Sequence, residues 1–227
     1  MLRINSVLIL FVVCAFGVAT PQGNSASADI LENSGFEAGT GNDADSWIEI
    51  VGGAAGTVSR SSIAPNTGGF SAHMAFDHIN NTEAAGDYFF QQNLGANTIN
   101  NAAEYDLTFF ARSENNDFTG TNMFVQVQWL DQDGSDGGGF KGEVLVSIID
   151  LGLNSDYQQF TLSGLDPTDG SDSFLLRFQV AAGPVADIAN GMFVDDVFLF
   201  ASVPEPASVV VLGMFGLAVC CRRSRRS

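Results

Sequence analysis

From residue 29 to 203 the chain is a succession of short runs in which apolar and polar side chains alternate, parted by clusters of Gly, Asn and Asp. This spacing limits the possible folds more than any other feature. Alternation with a period of two places every second side chain on one face, as in a strand with one side buried. No stripe of helical period runs for any length between the same limits. The runs predict strands at Ser46–Val51, Thr57–Arg60, Phe70–Phe76, Asp87–Leu94, Glu104–Arg112, Asn122–Asp131, Gly142–Ile149, Tyr157–Leu162, Ser173–Val180 and Met192–Phe200. About ten strands at this spacing imply an all-β fold, a two-sheet antiparallel β-sandwich.

The material for a core is present. Sixteen phenylalanines lie between 29 and 203, and about 175 residues suffice for one domain. Cysteine contributes nothing there, because Cys14, Cys220 and Cys221 all lie outside these limits. Stability must come from packing or from a metal. The same stretch holds four basic residues (Arg60, Arg112, Lys141, Arg177) against 25 acidic ones, a net of −21. Such a charge repels a phosphate backbone and argues against nucleic acid as a partner. It also keeps an exported protein dispersed.

Both ends read as addresses. Met1 to Ala19 carries one early cation, Arg3, and an apolar stretch from Val7. Ala26-Ser27-Ala28 supplies the small residues of a cleavage site, and Ala19 offers a second. This reads as a signal peptide over 1–28. At the other end, Val203-Pro204-Glu205-Pro206 precedes an uncharged run from Ala207 to Cys221 and then Arg222-Arg223-Ser224-Arg225-Arg226-Ser227. Fifteen helical residues would span about 22 Å, short against a hydrocarbon core of about 30 Å. The basic end keeps the tail cytoplasmic.

The tail over 203–227 resembles the PEP-CTERM sorting signal, with the triplet Pro204, Glu205, Pro206, a short transmembrane helix over 207–221 and an Arg cluster in the family's order. The resemblance implies an exosortase-type sorting protease as a partner. It implies anchoring in the membrane before processing, then delivery to the cell surface or extracellular matrix. The alternative is an ordinary C-terminal anchor.

Within 29–202, Asn33-Ser34-Gly35-Phe36-Glu37, Gly68-Gly69-Phe70-Ser71, Tyr105–Arg112 and Phe193-Val194-Asp195-Asp196-Val197 resemble, in order, segments of carbohydrate-binding modules with a galactose-binding-like jelly roll. The family's turn before the third segment is replaced by Asn100-Asn101-Ala102-Ala103. The resemblance implies a jelly-roll fold. It also implies a structural Ca2+ held by Glu37 and by Asp195 or Asp196, with backbone carbonyls near Ser71 completing six to eight oxygens. On the residues alone, Glu37 and Asp195 could instead face solvent. The cluster from Asp131 to Gly139 misses the EF-hand spacing, since Asp136 stands where Gly belongs, and reads as a hairpin turn.

Alternation also outlines a candidate face. In the strands from Thr108, Asn122 and Phe174, the residues Arg112, Gln126, Gln128, Arg177 and Gln179 all point away from the apolar set. If these strands share a sheet, the five gather on its outer, concave side. There they could bind sugar hydroxyls, with Phe110 or Tyr88 as a stacking platform. The plain alternative is the polar outside of an antiparallel sheet. Trp129 alternates with core residues, and Trp47 is expected in a strand that packs inward. Catalysis has little to draw on: His73 and His78 are the only histidines, and no nucleophile or metalloprotease motif occurs. The expectation is a non-catalytic exported protein whose jelly roll binds polysaccharide; the alternatives are a structural or adhesive matrix protein without glycan binding and, behind it, a glycan-active enzyme.

Overall fold

The computed structural model describes residues 28–80, 85–131, 139–184 and 188–202. Apart from Ala28, the leader expected over 1–28 lies outside these residues, as does the tail over 203–227 with its triplet and its apolar segment. No helix among the described residues is long and apolar enough to cross a membrane.

The strands are β1 (Gly39–Thr40), β2 (Asp43–Ala44), β3 (Ile48–Val51), β4 (Gly56–Ser61), β5 (Ser71–Asp77), β6 (Gly86–Asn93), β7 (Glu104–Ser113), β8 (Thr121–Leu130), β9 (Phe140–Ser147), β10 (Gln158–Leu165), β11 (Ser173–Ala182) and β12 (Ala189–Ser202). All ten expected strands form, with ends displaced by a few residues. The β1–β2 pair was not expected. It is too short for a period, and it depends on Gly41, whose φ of 63° most side chains avoid.

Two five-stranded sheets result. The first has the order β10-β7-β12-β5-β4 and the second β3-β6-β11-β8-β9. The fold is a two-sheet antiparallel β-sandwich, as the alternation predicted. Its core is the seam between the inner faces. Leu107, Phe109 and Ala111 of β7 meet Leu176, Phe178 and Val180 of β11, all buried. Phe109 and Phe178 touch edge to face across the seam, with centroids 5.0 Å apart. At one end Tyr105, Trp129 and Phe174 form a second ring cluster. Trp47 is buried as expected, yet it precedes β3 rather than lying in it. Its indole N–H donates to the Asn33 carbonyl, and its ring sits 4.9 Å from that of Phe36.

The N-terminal segment is fastened over this sandwich. Ile30 N donates to Leu199 O, and Val197 N donates to Ser34 O. Phe36 is fully buried at a φ of 56°, a strained value for an aromatic residue. Arg60 holds the turn in place. It is 6% exposed, and its Nε and Nη2 donate to the carbonyls of Phe36 and Glu37, each at 2.6 Å. Charge-assisted bonds of this kind stabilise by roughly 1.5–3 kcal/mol each. Arg60→Ala should therefore lower the unfolding free energy by about 3 kcal/mol or more, read from urea denaturation. A variant as stable as the parent would show that the turn holds itself.

Candidate functional site

The outer face of the second sheet is ordered in rows set by strand register. One row runs Ile48, Gln91, Arg177, Gln126, Leu145 across β3, β6, β11, β8 and β9. The next runs Ile50, Phe89, Gln179, Phe124, Ser147. A third, beginning on β6, runs Asn93, Leu175, Gln128, Glu143. Strands lie about 4.8 Å apart, so each row places side chains at nearly the spacing of neighbouring strands. The sheet thus brings Gln126, Gln128, Arg177 and Gln179 together, four of the five residues expected on one face.

These side chains are mutually held. Arg177 Nη2 donates to Gln91 Oε1 at 2.9 Å, and the guanidinium carbon lies 4.2 Å from the centre of the Phe89 ring. Gln126 Nε2 donates to Glu143 Oε2 at 2.7 Å, and Gln179 Nε2 donates to Asp87 Oδ1 at 2.9 Å. Burial pushes the Arg177 guanidinium below its ordinary range, while Asp87 and Glu143 pull it back up. Arg177 Nε, Gln126 Oε1 and Asn93 Oδ1 on this face are shielded from solvent and have no hydrogen-bond partner among the described residues. Each such group costs about 1–3 kcal/mol until something satisfies it. Gln91, Asn93, Asp87, Glu143 and Phe89 were not singled out in the sequence. Alternation along 86–93, with Tyr88 and Phe90 inward, could have found Asp87, Phe89, Gln91 and Asn93.

Arg112 is the exception. It points away from the core, but β7 belongs to the first sheet, so it lies on the opposite side of the sandwich. There it sits beside Phe193, 5.7 Å from guanidinium carbon to ring centre, and near Tyr157 at 6.0 Å. His73 stacks on the other part of this cluster, with its ring 4.1 Å from Phe193, and its Nε2 lies 2.9 Å from Glu114 Oε1. Alternation set the direction of Arg112 but could not say which sheet β7 joins. The suggested platforms fail for related reasons. Phe110 is on the first sheet, and Tyr88 is fully buried in the core. Phe89 and Phe124 lie among these rows. Trp129 is buried, as expected.

The three residues expected at a metal lie at one corner of the first sheet, around Gly35 and the 66–70 segment. A Cβ built on Gly35 would lie 3.8 Å from Asp196 Oδ1, 3.9 Å from Asp195 Oδ1 and 3.9 Å from Glu37 Cγ. A slip in the β12–β7 register between Asp195 and Phe198, with Asp196 at a φ of 48°, lets both aspartates reach the same segment. Asp195 Oδ2 accepts from the backbone N–H of Asn66 and Thr67. Asp196 accepts from Asn66 Nδ2 and Thr67 Oγ1, and Glu37 Oε1 accepts from the N–H of Gly69 and Phe70. Ser71 is buried, and its hydroxyl donates to Ala64 O. The corner suits Ca2+ in the kind of its oxygens. It is arranged, however, as a clasp of carboxylates on N–H and O–H donors, and among the described residues no ready-made cage of three His, Cys, Asp or Glu side chains occurs. Asp195 is fully buried. That burial, with the neighbouring Asp196 adding to it, pushes its carboxyl up to about 6 against the pull of its three backbone N–H bonds.

The second acidic cluster falls between β8 and β9, which pair antiparallel as a hairpin. Asp131 N donates to Gly139 O, and Gly139 has a φ of 64°. Residues 132–138 lie outside the described part. Surface cavities occur away from the candidate face. One of about 540 Å³ is lined by Ile79, Asn115, Asn116, Asp117, Ile188 and Ala189. A smaller one of about 210 Å³ adjoins Glu114 and Asp77.

No protein-family model matches the chain, and no curated protein matches its sequence. Solved structures do. A structure described for the promiscuous specificity of carbohydrate-binding modules of the β-sandwich superfamily superposes with a TM-score of 0.52 at 15% identity, covering 78% of this chain and 64% of that one. An arabinose-bound α-L-arabinofuranosidase superposes with a TM-score of 0.51 at 14% identity, covering 81% of this chain and 28% of the enzyme. A third match, a module in complex with β-1,4-galactotriose, has a TM-score of 0.47 at 17% identity and covers 78% of this chain and 100% of that one. The protein is a jelly-roll β-sandwich, the fold found in carbohydrate-binding modules.

The carboxylate corner predicts a stability that depends on pH and calcium together. In chelator, the raised Asp195 favours the folded state fully below the ordinary carboxylate range. That contribution, roughly 3 kcal/mol, is lost as pH rises through about 6. Asp195→Asn should flatten the slope. Calcium needs the ionised form, so its stabilisation should grow over the same range. At 100 times its dissociation constant it should raise the melting temperature by about 5–10 °C, and Glu37→Gln should abolish that rise. Equal melting in calcium and in chelator at neutral pH would leave the corner a hydrogen-bonded clasp only.

Proposed function

We propose that this is an exported, non-catalytic envelope protein whose jelly-roll domain binds polysaccharide on the outer face of its second sheet. One observation carries the reading. Gln126, Gln128, Arg177 and Gln179 stand together on adjoining rows of one sheet face, beside the half-buried rings of Phe89 and Phe124. Sugar hydroxyls both donate and accept, so they suit such a mixture. The aromatic rings offer apolar contact to the faces of sugar rings. The fold is one that carbohydrate-binding modules use, which supports the ligand class. Nucleic acid is not a partner on this reading, given the net of −21 over residues 29–203.

The tail belongs to the same proposal. An exosortase-type protease reads Pro204, Glu205 and Pro206, the segment 207–221 holds the chain in the membrane until then, and the domain reaches the cell surface or matrix. A Ca2+ ion shared by Glu37, Asp195 and Asp196 would hold the 66–70 segment to the last strand.

Binding should be weak, because the face carries no exposed Trp or Tyr and each net hydrogen bond contributes only about 0.5–1.5 kcal/mol. A dissociation constant between high micromolar and millimolar is expected, about −4 to −6 kcal/mol. On a glycan panel, Arg177→Ala and Gln126→Ala should each weaken binding by about tenfold. Arg112→Ala, on the opposite sheet, should not. A panel that stays blank, or variants that change only melting, would point to a structural or adhesive role. For the tail, replacing Pro204, Glu205 and Pro206 with alanine should retain the protein in the membrane fraction, and unchanged release would remove the sorting reading.

A further inference from the structure

The chain enters and leaves the sandwich at one place. β12 ends at Ser202, and the segment from Asp29 runs beside its last residues. Leu199 N donates to Asp29 Oδ1 at 3.0 Å, and Ile30 N donates to Leu199 O at 2.9 Å. The leader read over 1–28 and the tail read over 203–227 therefore join the domain side by side. Only Val203, Pro204, Glu205 and Pro206 separate Ser202 from the apolar run that begins at Ala207. Fully extended, that stretch reaches at most about 18 Å. A chain held by the apolar run keeps this end of the domain at the bilayer.

The outer face of the first sheet is apolar at the same end. Leu107, Phe109, Val197 and Leu199 turn into the core, so Phe110, Phe198 and Phe200 turn out. Phe198 stands opposite Thr108 and Phe200 opposite Asp106, and Phe110 is the next outward residue along β7. Diagonal neighbours on a sheet face lie about 7–8 Å apart, within reach of aromatic rings. Phe198 is 41% exposed, and Phe110 and Phe200 are half-buried. Gln159 and Thr161 of β10 continue the face. On β7 it carries Arg112 towards one end and Asp106 and Glu104 towards the other.

Resting on the reading of 203–227 as a membrane-held tail, we propose that Phe110, Phe198 and Phe200 dock on the lipid surface beside that tail, so that the domain leans on its first sheet. The tether allows two poses. In the upright pose the strands run along the membrane normal and the three rings stay in water. In the leaning pose the rings enter the headgroup region and leave water. The contact is small, but a four-residue tether makes the encounter intramolecular, at an effective concentration on the order of millimolar. The net of −21 over residues 29–203 disfavours an anionic leaflet. A zwitterionic one fits, because its phosphates and ammonium groups match Arg112 and the two carboxylates. The second sheet packs about 10 Å behind the first, so its outer face, with Arg177 and Gln126, then points away from the bilayer.

The test uses the full chain in phosphatidylcholine vesicles whose acyl chains carry bromine, which quenches tryptophan. Trp47 and Trp129 are buried and give a constant background. Phe198→Trp places a probe in the patch. Leu145→Trp places one at the same height on the outer face of the second sheet. Leu145 is opposite Gln126, four residues from the end of β8, and Phe198 is opposite Thr108, four residues from the start of β7. In an upright domain the two probes are quenched alike. In a leaning one, with the patch about 5–10 Å into the interface, quenching at 198 should exceed that at 145 by about threefold or more. Phe110→Thr with Phe200→Thr, added to the probe at 198, should bring quenching there down to the level at 145, with the protein still sedimenting with the vesicles. Equal quenching at 198 and 145 in the anchored chain would overturn the inference and leave the tail reading standing. So would a difference that survives the two threonines, which would assign the lean to the tether alone. A full chain that stays off the vesicles would remove the tail reading and the inference with it.

Discussion

Strand β11 is the element on which the rest depends. It lies at the centre of the second sheet, between β6 and β8, so both of its edges are paired. Its inner side chains Phe174, Leu176, Phe178 and Val180 are fully buried. Burying a side chain of this size contributes roughly 1.5–3 kcal/mol, so this one strand carries a large share of the seam. The same pleat sends Leu175, Arg177 and Gln179 to the other side. The outer face is therefore a consequence of the core. Because the inner set is locked, the outer set cannot slip by a residue without moving every Phe into water.

The domain is short of cations, and its carboxylates are satisfied in another way. Arg60 is spent on backbone carbonyls, Lys141 on Asp131, and Arg112 lies against Phe193 and Tyr157. The acids turn to N–H and O–H donors instead. Glu37 and Asp195 hold backbone N–H groups, Asp196 holds Asn66 and Thr67, and Asp87 and Glu143 hold glutamine amides. The exposed pairs contribute little energy individually. Their effect is geometric, because an acceptor-only group decides which end of its partner faces it. At the buried Asp195 the effect is energetic as well, since desolvation opposes ionisation there.

Both surfaces of interest arise where regular alternation meets an interruption or a neighbour. At the carboxylate corner, the slip in β12 brings Asp195 and Asp196 to one segment, although consecutive strand residues normally diverge. Regular alternation would have separated them. On the outer face, Glu143 of β9 reaches Gln126 and Gln128 of β8 only because the hairpin register sets Gln128 opposite Glu143 and Gln126 opposite Leu145. A shift of one residue would break this arrangement.

The amino-acid sequence by itself determined the all-β class, all ten principal strands, the burial of Trp129 and the outward direction of Arg112, Gln126, Gln128, Arg177 and Gln179. These follow from a period of two, which is a local property of the chain. What it left open was partnership. Alternation states which way a side chain points but not which strands lie beside its own, so it cannot separate Arg112 from the four residues that stand on the other sheet. The three rows across five strands, the reach of Glu143 and Asp87, and the clasp of Glu37, Asp195 and Asp196 on residues 66–70 join positions far apart in the chain. They depend on register and on a bulge. Those are settled only when the two sheets close on a shared core, because the energy that selects them is the packing of side chains from both.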